Sequence, residues 1–166
     1  MVLDNFKAIT TFVFDMDGVL TDGTLLHLSG TKWLRRTSMR DGHAIKEASK
    51  QGYRVIVLSG SISKPVKTRM EFLGVSDVFM GVADKKEKLQ EYMKKHALKA
   101  EEILYMGDDM PDYRCMEIAG LPCCPADAAT EIKQVAKYIS PLRGGEGCVR
   151  DVIEKVLKLH GKWTFE

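Results

Sequence analysis

Two carboxylates, Asp15 and Asp17, stand two positions apart in the run Phe14-Asp15-Met16-Asp17-Gly18-Val19-Leu20, where an apolar stretch over residues 8–14 gives out. In an extended chain, residues i and i+2 project to the same side, so the two side chains converge on one small volume. Like charges that close repel unless one is protonated or a cation lies between them, and carboxylate oxygens favour a hard cation such as Mg2+. A second acidic group, Gly107-Asp108-Asp109-Met110-Pro111-Asp112, follows the apolar run 103–106 in the same way. Between the two in sequence come Ser59 and Gly60, just past the run 54–58, and Lys85, at the head of a lysine-rich segment. A hydroxyl beside flexible backbone suits an oxyanion near a helix N-terminus; a lysine at such a terminus is disfavoured by the macrodipole, and an anionic ligand accounts for it. Each group alone also reads as ordinary structure. Asp-Gly and Ser-Gly make turns, Asp109 can cap a helix beginning near Pro111, and Lys85 can be surface charge beside Lys86 and Lys88.

The elements that must position these groups follow from the pattern of the chain. Short β-rich runs over 8–14, 54–58, 77–80, 103–106, 121–124 and 137–139 alternate with helix-like segments, which argues for a parallel sheet covered by helices. Helices are expected over 42–51, from just after Ser63 to Gly74, and over 85–96. A further helix closes the chain, where Val149, Val152, Ile153, Val156 and Leu157 make a single apolar stripe. Residues 24–28 and 31–37, joined at Ser29-Gly30, read as a β-hairpin too small to be a cap domain. The fold expected is therefore an α/β, Rossmann-like three-layer sandwich, one domain over 1–166, with a hairpin insertion after the first strand. Open α/β sheets bind ligands at the carboxyl ends of their strands, where all four motifs fall.

At 166 residues the chain is long enough to bury roughly 70% of its unfolded surface in a single core. Its 25 basic and 23 acidic residues balance to +2, which argues against a nucleic-acid partner. No stretch approaches the roughly 18 consecutive apolar residues of a membrane span, and Asp4 and Asn5 stand where a signal peptide would be basic and apolar. A cytoplasmic location is expected, with Cys115, Cys123, Cys124 and Cys148 reduced and buried. The four histidines have no metal-ligand spacing; His43 is of interest for its place beside Arg40-Asp41-Gly42.

The order of motifs, Asp15-Met16-Asp17-Gly18-Val19, Ser59-Gly60, Lys85 and Gly107-Asp108-Asp109 with Asp112, resembles the haloacid dehalogenase superfamily of phosphotransferases. Thr21-Asp22-Gly23, Arg40-Asp41-Gly42, Gly81 with Lys85, and Arg143-Gly144-Gly145-Glu146-Gly147 are similar to its capless subfamily of 3-deoxy-D-manno-octulosonate 8-phosphate phosphatases, over about residues 8–158. That resemblance implies Asp15 as nucleophile and Asp17 as general acid and base. It implies Mg2+ held by Asp15, the Asp17 carbonyl and Asp108, and phosphate held by Ser59, Gly60 and Lys85. Asp109 would order metal-bound water and Lys85, Asp112 would stand behind the ligands, and Arg40 would meet the substrate. The substrate implied is a 2-keto-3-deoxy sugar acid phosphate of eight carbons, with a nine-carbon acid such as 2-keto-3-deoxynononate or N-acylneuraminate 9-phosphate as the alternative. Ser61 stands where the family usually has arginine, and Asp84 before Lys85 favours the nine-carbon reading. A non-catalytic assembly domain, of the kind fused to sialic-acid activating enzymes, is the alternative of another class. Without a cap, the site would be covered by neighbouring subunits of a homotetramer, with the hairpin in the contacts. Segment 143–147 and the tail 160–166, with Trp163 and Phe165, are candidates to reach a neighbour's site.

Overall fold

The computed structural model describes residues 2–163, so Phe165 of the expected reaching tail lies outside the described residues. After a short helix α1 (Val2–Lys7), which the sequence reading did not anticipate, strand β1 (Thr11–Phe14) enters the sheet. The first three residues of the expected strand instead form the turn that leaves α1, with Ala8 N–H donating to Asn5 O. The hairpin β2 (Leu26–Ser29) and β3 (Lys32–Leu34) is antiparallel, bulged between His27 and Ser29, and stands apart from the main sheet. Helix α2 (Met39–Lys50) begins three residues before expectation because the Ser38 hydroxyl accepts the Asp41 N–H and caps it.

The remaining chain alternates strictly: β4 (Arg54–Leu58), α3 (Lys64–Phe72), β5 (Asp77–Phe79), α4 (Lys85–His96), β6 (Ile103–Met106), α5 (Tyr113–Ile118), β7 (Leu121–Cys124), α6 (Thr130–Val135), β8 (Tyr138–Ile139) and α7 (Cys148–Leu159). The sheet is parallel throughout, in the order β5-β4-β1-β6-β7-β8. From β1 the chain moves outward through β4 to β5, then crosses to β6 on the other side of β1. That reversal opens a crevice at the carboxyl ends of β1 and β6, the place such sheets bind ligands.

Two apolar cores sit on the two faces. Phe12, Phe14, Val55, Val57, Leu104 and Met106 pack with α1, α2, α3 and α7, while Val13, Ile56, Ile103 and Tyr105 pack with α4, α5 and α6. Successive strand residues alternate between faces, and both faces are covered, which is why these strands read as continuous apolar runs. The α7 stripe lies fully buried at Val149, Val152, Ile153, Val156 and Leu157. At about 1.5–3 kcal/mol per buried aliphatic side chain, this stripe makes α7 a rigid backing for the loop after β1. All four cysteines are buried and unbridged.

Candidate active site

Each motif leaves the sheet at the same edge. Asp15 N–H donates to Met106 O at 3.0 Å, Ser59 N–H to Phe79 O at 2.9 Å and Gly107 N–H to Cys123 O at 3.2 Å, so the loops after β1, β4 and β6 begin side by side. They enclose a cavity of about 290 Å3 lined by Asp15, Asp17, Ser59, Gly60, Ser61, Lys85, Asp108, Asp109 and Asp112. A larger cleft of about 550 Å3 lies along α7 with Arg40 on its rim, and its acidic groups are already ion-paired, Asp151 and Glu154 along α7 and Glu146 to Arg36. Chemistry concentrates in the smaller one.

Within it, carboxylate oxygens of Asp15, Asp108 and Asp112 all lie within 4.8 Å of one another. Lys85 Nζ donates to Asp15 Oδ1 at 2.7 Å and to Asp112 Oδ1 at 2.8 Å, with all three residues buried. Tyr105 Oη donates to Asp112 Oδ1 at 2.7 Å, and Asp108 N–H to Asp112 Oδ2 at 3.1 Å. Burial, then the charges of Asp15 and Asp112, push the Asp108 carboxyl up to about 8. Asp15 is pushed up to about 6 by burial and by Asp112, with Lys85 opposing. For Lys85, burial pulls the ammonium down, but Asp112 and Asp15 outweigh it and hold it above its ordinary value. Carboxylates crowded this way resist ionisation until a positive partner joins them, and an all-oxygen donor set fits Mg2+.

Two glycines permit the crowding. Gly18 has φ +90°, and a Cβ on it would fall 1.9 Å from Asp108 Oδ2; a Cβ on Gly107 would fall 2.3 Å from the Asp112 Cβ. Behind the β1 loop, a Cβ on Gly144 would fall 1.9 Å from Gly18 O, and Gly145 N–H donates to Val19 O at 2.9 Å. Segment 143–147 is thus wedged against its own chain's acidic loop, with Arg143 paired to Asp127 at 3.4 Å and its side chain largely exposed.

Several side chains differ from expectation. Asp112, expected behind the ligands, lies close to Asp15 and Asp108, with its carboxylate oxygens taken by Lys85, Tyr105 and the Asp108 N–H, because the single 3-10 turn Met110–Asp112 folds it back under Gly107. Asp109 is exposed and its carboxylate accepts Met110 N–H at 2.8 Å, so the groups that hold Lys85 are Asp15 and Asp112. The Asp17 carboxylate turns away from the cluster and accepts Arg35 Nε at 2.8 Å, Arg35 Nη2 at 3.1 Å and the Thr21 hydroxyl at 3.2 Å. Arg35 was missed by sequence reasoning. The signal was its place on the way out of the hairpin, whose end returns to the loop through the Thr21–Thr37 bridge. Arg40 and His43 lie exposed on α2, away from the cavity, and the His43 ring meets Trp163 edge-on at 6.2 Å between centroids. Trp163 packs partly buried on the core of its own chain. Ser59 is buried, and its Oγ accepts Ser61 N–H at 3.1 Å, which leaves the hydroxyl proton to donate. Asp84, the residue that favoured a nine-carbon acid, accepts Glu87 N–H at 2.9 Å and caps α4.

Residues 71–150 match the haloacid dehalogenase-like hydrolase family. The chain is 31% identical over 161 residues to the 3-deoxy-D-manno-octulosonate 8-phosphate phosphatase KdsC of Escherichia coli (strain K12), covering 97% of this chain and 86% of that protein. It is 32% identical over 160 residues to KdsC of Haemophilus influenzae, covering 96% and 87%. A probable yrbi family phosphatase from Pseudomonas syringae superposes with TM-score 0.93 at 33% identity, over 97% of this chain and 92% of that one. The 3-deoxy-D-manno-octulosonate 8-phosphate phosphatase of Moraxella catarrhalis, solved with magnesium, phosphate and KDO, superposes with TM-score 0.91 at 29% identity, over 95% and 90%.

Proposed function

Because the chain belongs to the haloacid dehalogenase-like hydrolases, alongside the KdsC phosphatases, we propose that it is a Mg2+-dependent phosphatase of 3-deoxy-D-manno-octulosonate 8-phosphate. The observation that carries this reading is the cluster of Asp15, Asp108 and Asp112 around Lys85 in the crevice beside β1. Asp15 attacks phosphorus in line: a bond forms from its carboxylate oxygen to phosphorus as the bond from phosphorus to the sugar oxygen breaks. Asp17 delivers the proton that the departing oxygen takes up. Asp17 then removes a proton from water, the resulting hydroxide attacks phosphorus, and the Asp15–phosphorus bond breaks to release inorganic phosphate. Lys85 and the Ser59 hydroxyl hold the phosphoryl oxygens and stabilise charge that grows in the transition state. Asp15 and Asp108 with the Asp17 carbonyl would hold Mg2+, with Asp112 close by; bound there, the ion neutralises charge between an anionic nucleophile and an anionic substrate.

The chain works in the cytoplasm as a homotetramer in which neighbours cover the cavity. Leu26 and Leu34 pair across one face of the hairpin and Trp33 lies against His27 on the other; all three apolar side chains are about half exposed or more, at 62%, 48% and 50%, surface that a subunit contact would bury. Among the described residues, no helix is long and apolar enough to cross a membrane.

Measured side by side in Mg2+, kcat/KM is expected to be highest for the eight-carbon acid phosphate, lower for nine-carbon acid 9-phosphates and lowest for hexose phosphates. Equal values across that panel would remove the sugar-acid assignment, and no phosphate release from any of them would remove the enzyme.

A further inference from the structure

The catalytic cavity is poor in positive charge. Asp15, Asp17, Asp108, Asp109 and Asp112 line it against Lys85 alone, and Ser59, Gly60 and Ser61 on the opposite wall are neutral. Lys85 is already shared by two carboxylates, and Arg35 is committed to Asp17. Bound Mg2+ adds two charges, and a phosphate monoester of about −1.5 to −2 takes them up. A substrate that also carries a carboxylate at its far end meets repulsion unless a cation waits outside the phosphate site.

One pocket supplies it. A space of about 470 Å3 shares Gly60, Lys85 and Pro111 with the catalytic cavity and continues outward between the start of α4 and α5. It is within the size range of small-molecule sites. Lys86 and Arg114 line it, and neither makes an ion pair or hydrogen bond to any described residue. The single acid there, Asp84, is spent on the α4 cap. Arg40, the sequence's candidate for contacting substrate, lines a different cleft.

We infer that Arg114, with Lys86 beside it, binds the carboxylate of the sugar acid and so sets specificity for it. The planar guanidinium offers two parallel N–H donors that match a carboxylate, which a neutral sugar phosphate cannot use. This rests on the sugar-acid reading proposed above.

Steady-state kinetics of the full chain in saturating Mg2+ test it, comparing 3-deoxy-D-manno-octulosonate 8-phosphate with D-arabinose 5-phosphate, which has no carboxylate. Arg114→Met is expected to raise KM for the acid by about tenfold or more, leave its kcat within about twofold, and leave kcat/KM for the neutral substrate unchanged. Arg114→Lys is expected to recover part of the loss, and Lys86→Met to show a smaller rise. Because Arg114 is exposed, these variants should fold. If wild type prefers the acid and Arg114→Met keeps its KM, or loses both substrates equally, the inference is overturned while the function stands. If wild type does not prefer the acid, the sugar-acid reading falls and this inference with it.

Discussion

Arg35 grips Asp17 with both arms of its guanidinium, Nε to Oδ1 at 2.8 Å and Nη2 to Oδ2 at 3.1 Å, with the arginine side chain 11% exposed. The group proposed to exchange protons with the leaving oxygen and with water is thereby fixed by a residue entering from the hairpin. Planar bidentate pairing restrains the carboxylate in a way a lysine does not. Arg35→Met is expected to lower kcat by about tenfold to a hundredfold with KM little changed, and Arg35→Lys to fall between. An unchanged kcat would show that Asp17 finds its working position without this pair.

Gly144 reaches the reaction without touching it. An added Cβ would press on Gly18 O at 1.9 Å and on Thr21 O at 3.0 Å, and Gly18 is the residue that lets Asp108 approach. Gly144→Ala is expected to cost about 1–3 kcal/mol of stability from overpacking. Displacing the loop by even about 1 Å should also lower kcat roughly a hundredfold. Thermal melting and kcat check it together; a melt that falls while kcat holds would separate the segment from catalysis.

Asp41 gives stability a pH dependence remote from the site. Its Oδ1 accepts Arg150 N–H at 2.8 Å, tying α2 to α7, while its Oδ2 is buried with no hydrogen-bond partner among the described residues. Burial, opposed mainly by that backbone donor, pushes this carboxyl up to about 6. The folded state therefore binds more protons here than the unfolded chain between about pH 4 and 6, and the contribution falls as pH rises through that window, by up to about 3 kcal/mol. Asp41→Asn keeps the acceptor and removes the charge. It should melt roughly 5 °C above wild type at pH 7.5 and close to wild type at pH 4. A gap that does not change with pH would mean the buried charge is not its origin.

The exposed hairpin makes subunit assembly measurable. Sedimentation at assay concentration should give four chains per particle, and Trp33→Glu on β3 should shift the protein to smaller species with lower activity. A fully active monomer would show that the cavity needs no neighbour to cover it.

How much was legible in the sequence divides along physical lines. Asp15, Ser59 and Asp108 stood out because each follows a strand buried on both faces, which the eye meets as an apolar run that stops at a polar residue. Lys85 stood out because a cation at a helix start needs a reason, and Asp15 with Asp112 supplies one. The nearness of Asp112 to Asp15 and Asp108 was not legible, because the turn Met110–Asp112 and partners far off in sequence, Lys85 among them, bring it there. Arg35 was missed because its partner is eighteen positions away across a hairpin, a distance that only the folded loop closes. Arg40, read from its motif, is exposed on α2 and lines a different cleft, a placement that depends on how α2 packs and not on the motif itself.

The role of Asp15 can be measured most directly by phosphate release from 3-deoxy-D-manno-octulosonate 8-phosphate in Mg2+, comparing wild type with Asp15→Asn. Wild type is expected to turn over many times and to stop when the metal is chelated, while the folded variant releases no phosphate above background. A variant that retains a substantial fraction of the wild-type rate would contradict a nucleophile at position 15 and the chemistry built on it.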